Sequence, residues 1–203
     1  MNGKVSLITA LIFLISVTFT FPAISEDSLE YATKPNKGLN AVQHKQLDVL
    51  FAALKNSKSE IEANSHEQEI WRIWTAPTNK VLGDLMDTAF AQIESKSFAA
   101  SIKTLDSVVE QFPKYAEGWN QRAIMHFQLK NFDKSLEDIE KVLKLEPRHF
   151  GAYSGRGMIH YSRGDNKSAT KDILKAMRYH PYIKSRNLLL SIPVEAEEEP
   201  NYI

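Results

Sequence analysis

The chain has 203 residues, 43% of them apolar and 25% charged, which suits one ordinary domain or a short repeat array and excludes a disordered or fibrous chain. Lys plus Arg and Asp plus Glu each total 25, so no global basic field exists to hold the protein on nucleic acid, and no nucleic-acid partner is expected. With no cysteine there is no disulfide framework, thiolate zinc site, cysteine nucleophile or lipid anchor on an N-terminal cysteine.

In chain order, Lys4 is followed by an apolar and hydroxyl run from Val5 to Phe21, stopped by Pro22, with small residues at Ala23 and Ser25. That layout predicts a signal peptide over residues 1–25, cleaved between Ser25 and Glu26. Cleavage removes Lys4 and no acid, so the mature chain carries a charge of about −1 and is expected to be periplasmic or secreted, with no membrane insertion. The alternative is a retained anchor, since the run sits at the lower edge of the roughly 17 to 25 residues that span a bilayer. Residues 26–43 show no periodicity and are expected to be a flexible linker. Leu47, Leu50, Phe51 and Leu54 then make one helical stripe, and Ile61, Ile70, Trp71 and Trp74 another that ends before Pro77. They predict a degenerate helix pair over 44–76 that caps the upstream end of the fold. Trp71 and Trp74 share a face with Ile70, so they read as core of that cap, with an exposed anchor for a partner as the alternative.

From residue 82 the sequence repeats. Pro113, Pro147 and Pro181 lie 34 residues apart and divide the chain into units 82–115, 116–149 and 150–183. Position four of each unit is large (Leu85, Trp119, Tyr153) and position eight small (Ala89, Ala123, Gly157). Position twenty is small again (Ser101, Ser135, Ala169), and position twenty-four is apolar and branched (Leu105, Ile139, Ile173). Small residues at eight and twenty let two antiparallel helices approach closely, and the proline stops the second. The prediction is an all-α solenoid of antiparallel helix pairs. Tyr182, Ile183, Leu188, Leu189 and Leu190 predict a capping helix over 182–192, and residues 194–203 an acidic flexible tail.

Trp119, Ala123, Phe132, Ile139, Val142 and Pro147 make the three units resemble the tetratricopeptide repeat (TPR) family. The resemblance implies a right-handed α-solenoid whose first helices line an inner groove that takes an extended or helical peptide, as expected of a non-enzymatic adaptor. By that resemblance the groove residues are Met86, Phe90, Ile93, Asn120, Ile124, Phe127, Gln128, Ser154, Met158 and Tyr161, with Lys114 and Arg148 at the rim. Family members that grip heat-shock chaperone carboxylates place lysine, asparagine and arginine in the groove. This set has no cation, so that role is not expected.

Arg122 and Arg156 recur at position seven, and Asp138 and Asp172 at twenty-three; in the first unit both become threonine, Thr88 and Thr104. Residues that change together predict structural ion pairs across the helix pair. His126 and His160 recur at position eleven, about a repeat apart, too far to converge on a metal, and read as packing histidines. No metalloprotease, nucleophile-elbow or phosphate-loop motif occurs, so no enzyme, cofactor or metal is expected. The reading is an adaptor that binds a peptide or helix of an envelope protein. The alternatives are a self-associating scaffold, hence a homo-oligomer, and a groove filled by the protein's own tails or last helix.

Overall fold

The computed structural model describes residues 38–193. The signal segment, most of the linker and the acidic tail lie outside the described residues. Among the described residues eight α-helices run in order: α1 (Ala41–Lys55), α2 (Glu60–Thr75), α3 (Lys80–Glu94), α4 (Phe98–Gln111), α5 (Ala116–Gln128), α6 (Phe132–Leu145), α7 (Phe150–Ser162) and α8 (Asn166–Tyr179). A 3₁₀ segment, Lys184–Leu190, comes last. Helices α3/α4, α5/α6 and α7/α8 are three successive antiparallel pairs of an all-α helical repeat solenoid.

The local causes of this pattern repeat with the sequence. Within each pair the chain reverses through a residue at positive φ: Lys96 at 56°, Lys130 at 60° and Gly164 at 78°. Only the third is a glycine, for which this conformation is free of the roughly 1–2 kcal/mol Cβ penalty. The second helices end at Gln111, Leu145 and Tyr179, one residue short of the residue that precedes each proline, because proline drives its predecessor out of helical geometry. Inside the pairs, Ser101 and Ser135 stand where the repeat pattern favours alanine. Their hydroxyls donate to the Ala89 and Ala123 carbonyls at 3.3 and 2.8 Å, so each buried polar atom is satisfied. In the third pair Ala169 faces Gly157, where a Cβ would lie 2.9 Å from Ile173 Cδ1.

Arg122 donates to both oxygens of Asp138 at 2.8 and 2.6 Å and reaches back to Asp106 of the preceding pair at 2.8 Å. Arg156 grips both oxygens of Asp172 at 2.7 Å. In the first pair Thr104 donates instead to Gln92, and Thr88 to the Asp84 carbonyl. Trp119 is half-buried, with its Nε1 donating to the Pro113 carbonyl at 3.1 Å.

The N-terminal pair differs from its expected place. α1 begins at Ala41, inside the stretch read as linker, because Asn40 and Gln43 form a reciprocal capping box at 2.9 and 3.0 Å and Leu39 is buried. The pair does not stack face to face on α3 as an upstream cap. α2 lies across the turns that join one unit to the next and meets them in reverse order. The Trp74 carbonyl accepts from Tyr115 Oη at 2.5 Å, at the first turn. Trp71 and Trp74 pack on His149 and Phe150, at the second. Glu67 accepts from His180 at 3.0 Å, and Glu60 lies 3.9 Å from Arg186, beyond the third unit. From residue 60 to residue 74 a helix advances about 21 Å, enough to cross the whole row. Periodicity reports that a helix has an apolar face but not which surface will cover it. Here the cover is a seam built from turn residues Phe112, Tyr115, His149, His180 and Ile183, all buried.

The C-terminal cap also differs. Residues 184–190 form a 3₁₀ turn with no buried residue, and Leu190 is 88% exposed. With three residues per turn, consecutive leucines point about 120° apart, so Leu188, Leu189 and Leu190 cannot share one inward face.

Candidate functional site

The first helices α3, α5 and α7 present their side chains side by side as the inner face of the stack. Between α5 and α7 this face holds a cleft of about 260 Å³. Its floor is small or apolar, from Ala123, Ser135, Ile139, Ala152 and Gly155, and its walls are Asn120, Ile124, Phe127, Gln128, Ser154 and Met158. Gly155 helps to open the cleft, since α7 carries no side chain there and a Cβ would meet only Ile139 Cδ1 at 3.7 Å.

The expected groove residues divide into two sets. Ile124, Met158 and Tyr161 are 37%, 46% and 37% exposed, and Gln128 is exposed as well. Phe127 is half-buried with its ring 5.5 Å from Phe132. Phe90 and Ile93 are half-buried against the main core. Met86, by contrast, is fully buried and lines no groove. Asn120 is 3% exposed, its amide donating to Glu117 at 3.1 Å. Ser154 is held by Ser185 of the 3₁₀ segment, hydroxyl to hydroxyl at 2.8 Å. The chain itself therefore closes one end of the inner face: Trp71 of α2 lies so near Gly151 that a Cβ there would be 3.0 Å from Cη2, and Ser185 seals the same end at Ser154.

Arg148 is not a free rim cation. It donates to Glu146 at 2.8 and 2.9 Å and to Asp48 of α1 at 2.7 Å, and lies 4.4 Å over the Phe51 ring, so it ties the N-terminal pair to the second turn. Lys114 is exposed, beside a crevice that also holds His44, Lys45 and Asp48.

Behind the closed end lies a polar network that repeat reading did not find. His149 Nδ1 accepts from the Ala152 amide at 3.0 Å, which leaves the proton on Nε2 to be donated to Glu117 at 3.2 Å. Glu117 also accepts from Gln121 at 2.6 Å, and the His149 ring stacks on Trp74 at 4.2 Å. The hydrogen bond from His180 holds the Glu67 carboxyl below its ordinary range, against the effect of burial. Burial, and then the charge of Glu117, push the Tyr115 phenol well up. The signal in the sequence was the aromatic and titratable residues Tyr115, His149 and His180 in proline turns, where solvated residues are the norm.

His126 and His160 stand apart from the cleft. His126 is buried beside Arg122 and Asp138, its Nδ1 has no hydrogen-bond partner among the described residues, and burial holds its imidazole below the ordinary value. His160 lies 3.8 Å from Asp172. Among the described residues no group of His, Asp and Glu is arranged to hold a metal ion, and no helix is long and apolar enough to cross a membrane.

Stacked helix pairs, small residues at their crossings and an open inner face define a helical-repeat protein with a groove. The α5/α6 unit, residues 116–149, matches the family model of the tetratricopeptide repeat. A TPR repeat-containing protein of Rhizobium etli is 36% identical over 117 residues, 58% of this chain. The chain spans only 56% of that relative's length. Among solved structures, the first TPR of Spaghetti (RPAP3), bound to an HSP90 peptide of sequence SRMEEVD, superposes with a TM-score of 0.53 at 20% identity. That match covers 55% of this chain and 89% of the other.

Proposed function

We propose that this chain is a non-enzymatic protein–protein interaction module that holds a peptide or helix of a partner protein against the open part of its inner face. The observation that carries this reading is the cleft between α5 and α7, with Ile124 and Met158 exposed in its walls and Tyr161 exposed about one turn on along α7. Large apolar side chains clustered at a concavity are where protein partners place their anchors. The peptide seated on the structurally similar TPR of Spaghetti lends support by fold alone. The run from Val5 to Phe21 and the small residues after it further support export, so the partner belongs to the bacterial envelope and the module to the periplasm.

A photoreactive residue at Phe127, with Lys141 on an outer helix as control, tests the proposal in the producing cell. The expected result is an adduct with another protein at position 127 and none at 141. Adducts only with the chain's own segments would overturn it. An adduct with a second copy of the chain would favour a self-associating scaffold, a reading supported by Leu174 and Leu190, left 48% and 88% exposed at the end of the stack.

A further inference from the structure

The first helices carry a charge gradient from unit to unit, along a stripe that includes the cleft residues Ile124, Gln128, Gly155 and Met158. Residues six, nine and thirteen of a unit fall on one stripe of the first helix, three and four residues apart. In α3 the stripe reads Asp87, Phe90, Glu94; in α5, Gln121, Ile124, Gln128; in α7, Gly155, Met158, Ser162. The middle row, Phe90, Ile124 and Met158, is apolar throughout, whereas the rows on either side pass from carboxylate to amide to small neutral residue. Asp87 and Glu94 are both exposed. Lys80, which feels the charge of Asp87, is already paired with Asp84 at 2.8 Å. At the opposite end, after the last helix, Lys184 is exposed and Arg186 lies near Glu60.

We propose that the open groove selects a segment with apolar anchors and a positive charge at one end, laid so that its Lys or Arg side chains meet Asp87 and Glu94 while its apolar side chains fill the cleft at Ile124 and Met158. This rests on the groove being the binding surface and adds the chemistry of the occupant. An acidic peptide is disfavoured, because its carboxylates would face those of α3 with no cation among the described groove residues to receive them. Trp71 and Ser185 close the cleft at the start of α7, on the side of the turns between units, so the segment leaves the cleft on the side of the turns within the units.

Two fluorescein-labelled decapeptides with one shared Leu–Phe core, one flanked by lysines and the other by glutamates, test the selection by fluorescence anisotropy at low salt. Two exposed ion pairs predict roughly five-fold tighter binding of the lysine peptide, a preference that shrinks as salt is raised. Asp87→Lys with Glu94→Lys should reverse the order, and Ile124→Gln with Met158→Gln should weaken both peptides alike. Equal binding, or a preference for the glutamate peptide, that is still lost with Ile124→Gln and Met158→Gln overturns the charge selection and leaves the groove standing. Binding untouched by the Ile124 and Met158 changes, or absent for both peptides, overturns the groove as the site and this inference with it.

Discussion

Replacing Trp74 by alanine tests whether the N-terminal helix pair is part of the stack or an accessory to it. The indole is 2% exposed and touches four rings: Trp71 at 5.1 Å, Phe51 at 5.8 Å, Phe150 at 5.5 Å and, face to face, His149 at 4.2 Å. Truncating a buried aromatic of this size costs about 3–5 kcal/mol. The rings around it come from α1, α2 and the second turn and cannot all move inward, so a value near 4 kcal/mol is expected. For a chain of this length that corresponds to a fall of about 8–16 °C in Tm. Thermal and urea unfolding followed by circular dichroism measure it, and the loss should appear in one cooperative transition, because α2 touches every unit. A double-mutant cycle with His149→Ala should give a coupling of about 1 kcal/mol between the two stacked rings. A loss below about 1 kcal/mol, or no coupling with His149, would refute the cross-brace and return the pair to the status of a separable cap.

Two further outcomes come from the geometry. Gly151→Ala drives a methyl group to 3.0 Å from Trp71 and should destabilise the fold. Gly155→Ala, four residues on, meets only Ile139 at 3.7 Å and should stabilise it by about 0.5–1 kcal/mol through helix propensity, as urea midpoints would record. His126 supplies the pH test. Burial puts its folded pKa below the ordinary 6.5, so as pH falls past that value the unfolded chain takes up a proton first. The stability it contributes is therefore complete above 6.5 and lost as pH drops toward the folded pKa, and His126→Gln should flatten the slope of unfolding free energy between pH 7.5 and 5.5. An unchanged slope would show that the imidazole is not held neutral.

The repeat was legible because its causes are local and written three times. Prolines at 34-residue spacing stop each second helix, and small residues at Ala89, Ala123 and Gly157 set each close crossing. Joint replacement of arginine and aspartate by Thr88 and Thr104 pointed to side chains that meet. The groove was legible only in part. Helical spacing puts Met86 on the inner face, and the structure buries it in the core, whereas Asn120, 3% exposed, still lines the cleft. Arg148, read as a rim cation, holds Asp48 and Phe51 instead.

What the sequence determined by itself is each element and its partner within the unit, since helix stops, close crossings and ion pairs depend on residues at most a few tens of positions apart. Only the tertiary structure decided where α1 and α2 dock, because an apolar stripe carries no address and several surfaces could bury it. The seam of Tyr115, His149 and His180 wins by satisfying Trp74, Glu67 and the indole faces at once. That choice in turn shaped the site: Trp71 closes the cleft at Gly151, on the side of the turns between units, while Ile124, Met158 and Tyr161 stay in solvent.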